Sequence, residues 1–289
     1  MSRHRPKNRT DLLIIQPDAD SHGAHKENIF IAQDSLGNTL GVLLLYPFYD
    51  ELTEAEHPHN VSLLLHIPEG QELSESARDQ LLERALERAT TIKGESGQPK
   101  TRLYVSFLKG QLDQSEYFLE RGFQQDESMQ ILEWVSGAPQ PDVSLPSGIT
   151  VQNWEMARED DRQHFITVHR TVFPRHPYST QRLGELTSLP GWSNLTAFQE
   201  NQICGNIMFL NDPDHPGAGL IEDLIVVSGW RRQGIGSFLL SSALDQMQAA
   251  GMQRVRLEMW SANRNAWRLY QKFGFQVVDE TEFAFSLYV

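Results

Sequence analysis

The sequence predicts an α/β protein made of two domains that follow the same plan. Its 289 residues are near the length at which one hydrophobic core usually divides into two. In residues 136–148, SGAPQPDVSLPSG, prolines, glycines and serines interrupt every periodic pattern, as in a linker. The same order of strands and helices is predicted on both sides of this stretch. We therefore expect domains at residues 1–135 and 149–289, joined by a linker at residues 136–148.

The repeated order begins with a β-hairpin in each half. Two strand-like runs flank a turn at Gly37 and Asn38, and two more flank Asn201 and Gln202. An apolar strand follows, NVSLLLHI or GLIEDLIVV, and then a helix with apolar residues every three or four positions. Each half then has another strand and a short helix that ends in Gly-Phe. This repetition is typical of a duplicated domain.

Composition limits the classes of partner. The formal net charge is −13, and residues 1–147 hold 23 acidic and 13 basic side chains. General nucleic-acid binding is not expected, because it requires a basic face that displaces counterions from phosphates. Residues 148–289 hold 15 acidic and 12 basic side chains. This half is therefore the one that most easily accepts an anion.

Cysteine and histidine usage argues against disulfides and metal sites. Cys204 is the single cysteine, which excludes an internal disulfide or a cysteine-based zinc site. His164 and His169 are five positions apart and lack the i, i+4 spacing of a helical metal site. We interpret both as ordinary helix residues and predict no metal.

No apolar run of the sequence has the length of a signal-peptide core or of a membrane-spanning helix. We therefore expect a cytoplasmic protein that does not contact the membrane. A homo-oligomer is compatible with the sequence.

The stretch VVSGWRRQGIGSFLL, residues 226–240, connects the apolar strand of the second half to its helix. The predicted first turn has no Ser, Thr, Asp or Asn before Ser237 that could cap it. Its amide groups therefore lack partners and carry a partial positive charge. Gly234 and Gly236 allow another molecule to approach the backbone closely. Such a helix start favours an external anion, most simply a phosphate; the alternative is a tight turn whose amides face water.

Three phosphate-binding patterns compete for this stretch. A P-loop has a Lys-Ser/Thr pair after its second glycine, where this chain has Ser237 and Phe238. A dinucleotide fingerprint has a third glycine at the position of Leu239, although Glu258 stands near the place of its acidic residue. Arg231, Gly234 and Gly236 match the third pattern, Arg/Gln-x-x-Gly-x-Gly/Ala.

With this third pattern the chain resembles the GCN5-related N-acetyltransferase superfamily, whose members bind the pyrophosphate of acetyl-CoA on such a loop. The resemblance continues in SANRNAWRLYQKFGF, where Asn263, Ala266 and Tyr270 match a later element of the family. It implies two acyl-CoA N-acyltransferase-like domains, each with a mixed, mainly antiparallel sheet flanked by helices. Residues 149–289 are then the catalytic domain.

The resemblance also implies roles for individual residues. The acetyl-CoA contacts that it implies are Leu224, Ile225, Val226, Val227, Arg231, Arg232, Gln233, Gly234, Ile235, Gly236, Ser237, Asn263 and Ala266. By similarity, the strand splays from its neighbour, Tyr270 protonates the coenzyme A sulfur, and Glu222 deprotonates the acceptor amine through water. Asp223 and Glu258 are alternative bases. Strand alternation predicts Glu222 on the face of Leu224 and Val226, and Asp223 on the opposite face.

The first half lacks these features. Leu73, Ser76 and Arg78 stand at the positions of the three motif residues, and Phe118 stands opposite Tyr270. We therefore expect residues 1–135 to be a degenerate copy without an acetyl-CoA site. The approach to its hairpin is short, so one or both of the family's early helices are expected to be truncated.

The predicted activity is transfer of acetyl from acetyl-CoA to a primary amine by direct attack, with a small molecule or a peptide as acceptor. The alternative is a non-catalytic acyl-CoA sensor or a partner-binding module. The region before the second hairpin corresponds to the family's acceptor groove. Its aromatic and histidine side chains either line that groove or belong to the core: Phe173, His176, Tyr178 and Trp192.

Overall fold

The computed structural model describes residues 12–49, 59–173 and 178–289, which form two compact units. Of the described residues, unit 1 contains those up to Glu127 together with Glu282–Val289, and unit 2 contains those from Ser128 to Thr281. Both units combine a mixed sheet with helices. The predicted α/β class is therefore confirmed.

Unit 1 is built around a sheet in which one neighbouring pair of strands is parallel. Its elements are β1 (Leu13–Ile15), β2 (Ile29–Gln33), β3 (Thr39–Tyr49), β4 (His59–His66), α1 (Glu75–Ser96), β5 (Arg102–Leu108), α2 (Glu116–Leu119) and the end of β12 (Gln276–Tyr288). The strand order is β1-β2-β3-β4-β5-β12. Only β4 and β5 pair in parallel among these strands, and the other neighbours are antiparallel.

Unit 2 repeats this plan and adds two helices. Its elements are the end of β6 (Gln124–Val135), β7 (Ile149–Asn153), α3 (Glu159–Val172), α4 (Thr180–Leu186), β8 (Ser193–Gln199), β9 (Gln202–Asn211), β10 (Ala218–Val226), α5 (Ile235–Ala249), β11 (Arg254–Trp260), α6 (Arg264–Lys272) and the start of β12. The strand order is β6-β11-β10-β9-β8-β7, with β10 and β11 parallel. Both predicted hairpins are confirmed as β2–β3 and β8–β9.

The two long helices explain the shared sequence register. In α5 the buried residues recur at helical spacing: Ile235, Leu239, Leu240, Ala243, Leu244 and Met247. They form one cluster with sheet residues such as Ile207, Val255 and Leu257. In α1 the corresponding Leu81 and Leu82 are buried in the core of unit 1. Each helix covers one face of its own sheet because its apolar side chains lie on one side.

The bounds of the units differ from the expected domains in two ways. Strand β6 contributes Ser128–Val135 to unit 2, where it pairs antiparallel with β11. Strand β12 contributes Glu282–Tyr288 to unit 1, where it pairs antiparallel with β5. Each sheet is therefore completed by the last strand of the other half of the sequence. Local sequence patterns do not reveal this arrangement, because strand pairing is non-local.

The expected linker also differs from a free connection. Residues 136–148 lie inside unit 2, and two of their side chains form hydrogen bonds with residues of α5. The Ser241 hydroxyl donates a hydrogen bond to Gln140 Oε1 over 2.9 Å, and Gln248 donates to the Ser136 hydroxyl over 2.9 Å. Val143 packs against the core. The proline-rich composition prevents regular structure in this segment, but its apolar residues still bury surface.

The early helices are reduced in unit 1, as expected. Between β1 and β2 the structure has a single 3-10 turn at Lys26–Asn28, whereas α3 and α4 connect β7 to β8 in unit 2. Among the described residues, the helices are too short or too polar to cross a membrane.

Candidate functional site

The candidate site lies in unit 2, where two parallel strands stop pairing. Strands β10 and β11 are joined only from Ala218 opposite Arg254 to Leu220 opposite Arg256. Strand β11 nevertheless continues to Trp260 and stays paired with β6 on its other side. The remaining residues of β10 pair with β9. The facing edges of β10 and β11 therefore have main-chain groups free to bind a ligand, as the predicted splay requires.

The N-terminus of α5 follows directly after β10. The first hydrogen bond of this helix joins the Phe238 amide to the Gly234 carbonyl over 2.9 Å. Within the described part of the chain, the amides of residues 232–237 have no intramolecular acceptor, and no side chain caps the helix. These amides add to the positive end of the helix dipole, an arrangement that can bind an anion.

Two glycines of this loop stand where a side chain would be strained or closely packed. Gly234 has φ +88°, and a Cβ there would lie 3.3 Å from the Ser144 carbonyl oxygen. A Cβ on Gly236 would lie 3.3 Å from Val226 Cγ2 and 3.6 Å from Leu269 Cδ2. The first glycine allows the left-handed turn, and the second allows β10, α5 and α6 to approach one another.

The two arginines of the loop have different positions. Arg231 Nε donates a hydrogen bond of 3.1 Å to the Val226 carbonyl, so this side chain folds back onto the end of β10. Arg232 is exposed and adopts a left-handed φ of 61°. Gln233 is also exposed, and its side chain donates to the Gly229 carbonyl over 3.1 Å. Arg231 therefore stabilises the loop, whereas Arg232 is accessible to a charged ligand.

A β-bulge corrects the predicted alternation of β10. The register with β9 shifts between Ile221 and Asp223, so Glu222 is the extra residue. Ile221, Leu224 and Val226 all pack with the cluster under α5. Strict alternation predicted Glu222 on the same face as Leu224 and Val226. Because of the bulge, Glu222 lies on the opposite face, and this prediction was wrong. Bulges re-aim side chains in this way and are common next to active sites.

Glu222 is half-buried and lies beside α4. One of its carboxylate oxygens is 3.6 Å from the Arg182 guanidinium. Burial raises the pKa of Glu222, the Arg182 charge opposes this increase, and the nearby Asp223 charge adds to it. A carboxyl group with a raised pKa can take up a proton near neutral pH more readily than an ordinary one.

Tyr270 belongs to the buried face of α6 and is only 7% exposed. Its ring packs against Phe275, with 5.5 Å between the ring centroids. Burial, and then the charge of Asp223, raise the pKa of the phenol above its ordinary value. The hydroxyl therefore keeps its proton under physiological conditions and can donate it.

The other two predicted residues of the α6 motif lie at the start of that helix. The Asn263 side chain caps α6 by accepting a hydrogen bond from the Ala266 amide over 3.1 Å. Ala266 is half-buried against the core of unit 2. The Asn263 amide nitrogen is therefore the part of this side chain that remains for a ligand.

The sequence interpretation missed His169. This residue is buried on α3, and its Nε2 lies 3.3 Å from Asp223 Oδ2. Its ring is 4.8 Å from the ring of Tyr178 and 5.2 Å from that of Phe173, measured between centroids. The spacing of Phe165, His169 and Val172 predicts a shared helix face, but the sequence does not identify a carboxylate opposite that face.

The predicted groove residues are only partly described. Phe173 and Tyr178 surround His169, and Trp192 is half-buried. His176 lies outside the described residues. In the described ranges, no group of three or more His, Cys, Asp or Glu side chains could hold a metal ion.

Comparisons with known proteins show what the second half of the chain is similar to. A sequence model of the acetyltransferase (GNAT) family matches residues 153–275. The chain is 35% identical over 65 residues to GCN5-related N-acetyltransferase 6, chloroplastic, of Arabidopsis thaliana. These 65 residues are 22% of this chain and 23% of that protein. It is 32% identical over 80 residues to N-alpha-acetyltransferase MAK3 of the same plant. This second alignment covers 27% of this chain and 42% of that protein. The chain thus matches less than half the length of either relative.

A solved structure extends the likeness to the fold. The GCN5-related N-acetyltransferase from Sphaerobacter thermophilus has a TM-score of 0.50 and 17% sequence identity, over 92% of this chain and 82% of that chain. This likeness agrees with the predicted acyl-CoA N-acyltransferase-like fold. Residues 153–275 are therefore similar in sequence to the acetyltransferase (GNAT) family, and the fold agrees with that similarity.

Proposed function

We propose that unit 2 transfers an acetyl group from acetyl-CoA to a primary amine by direct attack. The observation that carries this proposal is the start of α5, where six consecutive amides lie beside the end of β10 and have no acceptor in the described part of the chain. Such amides fit the diphosphate of coenzyme A, because they supply hydrogen bonds and positive potential together. Acetyl-CoA, when bound, supplies the activated thioester.

The proposed binding residues divide between strand and helix. The backbone of Leu224–Val227 is at the edge of β10 that no longer pairs with β11, which suits the amide groups of a pantetheine arm. Within the proposed loop from Arg231 to Ser237, residues 232–237 supply the amides for the diphosphate. Asn263 and Ala266, at the start of α6, complete the proposed set.

Two side chains with raised pKa values suit the proton transfers. Glu222 accepts the proton that the acceptor ammonium must lose before its nitrogen can attack, directly or through water. Formation of the C–N bond breaks the C–S bond, and Tyr270 gives a proton to the departing sulfur. The proton lost from the nitrogen then restores Tyr270. The net products are an amide, free thiol and one proton.

Unit 1 is proposed to bind no acetyl-CoA. The start of α1 is capped by its own chain, because the Ser74 hydroxyl accepts a hydrogen bond from the Ala77 amide over 3.2 Å. Phe118 is buried in the core of unit 1 at the position that corresponds to Tyr270. This unit therefore offers neither the open helix start nor the phenol.

The proposed acceptor is a primary amine, on either a small molecule or a peptide. The name of one relative refers to N-alpha acetylation, so a peptide α-amine belongs in the test panel beside small primary amines. A cytoplasmic protein without nucleic-acid or membrane partners remains our proposal for its setting.

The test is release of free thiol from acetyl-CoA across this panel, with wild type and Tyr270→Phe compared. We expect kcat to fall about 100-fold in the variant, within the usual range of general acid catalysis, while calorimetry gives an unchanged Kd for acetyl-CoA. Tyr288→Phe, in unit 1, is the matched control. Tight binding without turnover for any amine would instead support a non-catalytic acyl-CoA sensor.

A further inference from the structure

The bulge in β10 turns two consecutive carboxylates away from the core under α5. Glu222 lies beside Arg182 of α4, and Asp223 lies beside His169 of α3. In a regular strand these two side chains would point to opposite faces. The bulge instead gives the side of the sheet next to α3 and α4 a pair of acidic groups.

The two carboxylates differ in what already binds them. Glu222 has the Arg182 guanidinium as a charged partner and the Tyr178 hydroxyl close by. Asp223 has the His169 ring beside it, and its Oδ2 accepts no hydrogen bond among the described residues, despite the 3.3 Å approach of His169 Nε2. Asp223 is therefore the carboxylate that can bind an additional donor.

Further polar atoms on this side of the sheet are buried without partners. His169 Nδ1 and Asn206 Oδ1 have no hydrogen-bond partner in the described chain. Asn206 lies opposite Ile225 in the β9–β10 register, and therefore shares a face with Asp223. Buried polar groups are nearly always satisfied, so several orphans on one face are atoms to which a polar ligand can bind.

We propose that Asp223 binds the acceptor amine and that His169 is the positioning residue that holds its carboxylate. This inference rests on the proposed acetyl transfer and deepens it by identifying the ammonium site. The side chains of His169 and Asp223 are 4% and 10% exposed. Because Asp223 Oδ2 faces His169 and is enclosed, the other oxygen, Oδ1, is the one that an entering ammonium reaches.

The chemistry of this pair selects a cationic primary amine. A carboxylate with little solvent binds an ammonium group by charge and by N–H hydrogen bonds. A primary ammonium has three N–H donors, so it can donate to Asp223 and still present one proton to Glu222. The charge of Asp223 reaches Tyr270, whose pKa it raises. The bound amine is thus on the side of β10 from which both proposed acid–base groups are within electrostatic reach.

The first experiment compares Asp223→Asn with wild type in the thiol-release assay. We expect the KM for the amine to rise about tenfold or more, because a charged hydrogen bond is lost, while the Kd for acetyl-CoA stays within about twofold. Asp160→Asn, an exposed substitution of the same kind on α3, should leave both constants unchanged.

The second experiment separates positioning from packing at His169. His169→Gln keeps an N–H donor near the position of Nε2, whereas His169→Leu fills the aromatic surroundings without a donor. We expect the glutamine variant to keep most of the amine affinity and the leucine variant to lose about tenfold, although both stay folded by melting temperature. His164→Gln, on the exposed face of the same helix, is the matched control.

The outcomes distinguish this inference from the proposed function. An active wild type with an unchanged amine KM in Asp223→Asn overturns the inference alone. Equal amine affinity in the glutamine and leucine variants shows that His169 only fills space, which also overturns its positioning role. Absence of thiol release by wild type across the panel overturns the proposed function, and the inference with it.

Discussion

Gly234 is the residue on which the proposed coenzyme site depends most directly. Its φ of +88° and the nearby Ser144 carbonyl leave no room for a side chain without strain. We expect Gly234→Ala to lower the free energy of unfolding of unit 2 by roughly 1–2 kcal/mol, the cost of a left-handed conformation for a residue with a Cβ. We also expect acetyl-CoA binding to weaken at least tenfold by calorimetry, because the adjacent amides move.

The control for this change is Gly229→Ala in the same segment. A Cβ on Gly229 meets nothing within 4 Å, and its φ is not in the left-handed region. This variant should bind acetyl-CoA as wild type does. Equal binding by wild type and Gly234→Ala would contradict the role assigned to the helix start.

Arg182 provides a test of the proposed base. The base acts when it is deprotonated, so activity is lost as the pH falls through the pKa of Glu222. Arg182 lowers that pKa, while burial, Asp223 and Glu258 raise it. Arg182→Gln should therefore move the acidic limb of the kcat/KM profile to higher pH. Arg158→Gln, whose arginine pairs with Asp161 instead, should not move it; the same shift in both variants would exclude Glu222 as the source of this limb.

Only some of these residues were predictable from the sequence. The open helix start was visible because the absence of a cap and the two glycines are local features. The approach of His169 to Asp223 was not visible, since Asp223 is distant in the chain and belongs to another element. The direction of Glu222 was also hidden, because a bulge depends on how two strands pair and not on their composition.

At the level of elements, the starts of α1 and α5 differ in how they are capped. Ser74 caps α1, whereas Gly234 leaves α5 uncapped. Ser74→Ala should lower the stability of unit 1 by about 1 kcal/mol, the typical contribution of an N-cap side chain, as measured by denaturant unfolding. It should not change acetyl-CoA affinity or the expected stoichiometry of one per chain.

Ser76→Ala is the comparison for this prediction, because Ser76 lies inside α1 and does not cap it. A change in coenzyme affinity or stoichiometry in Ser74→Ala would indicate that unit 1 contributes a binding site. That result would contradict the proposal that unit 1 is degenerate.

The sequence predicted most elements well and their partners less well. The hairpins, the two long helices and the α6 motif follow from periodicity and turn residues, which are local. The sequence did not predict which unit contains β6 and which contains β12, because a strand's own residues do not identify the strand that pairs with it. The 136–148 segment was interpreted as a linker for a similar reason: composition indicated irregular backbone but not its packing along α5.

At the scale of the whole molecule, strand β12 provides a test of the observed units. The alternative is two sequential domains, residues 1–135 and 149–289, in which all of β12 would belong to the second domain. Phe285 is 3% exposed and belongs to the core of unit 1, although it is close to the C-terminal end of the sequence. Phe275 is 2% exposed and belongs to the core of unit 2. Replacing either with Ala should cost about 3–5 kcal/mol.

The two substitutions should differ in where this cost appears. For Phe285→Ala we expect faster hydrogen exchange mainly in β2, β4, β5 and α1, all in the first half of the chain, because Phe285 packs with residues such as Phe107. For Phe275→Ala we expect faster hydrogen exchange mainly in β8, β9, β11 and α5. If Phe285→Ala instead loosened residues 149–275 and left the first half protected, the chain would be organised as two sequential domains, and the assignment of β12 to unit 1 would be wrong.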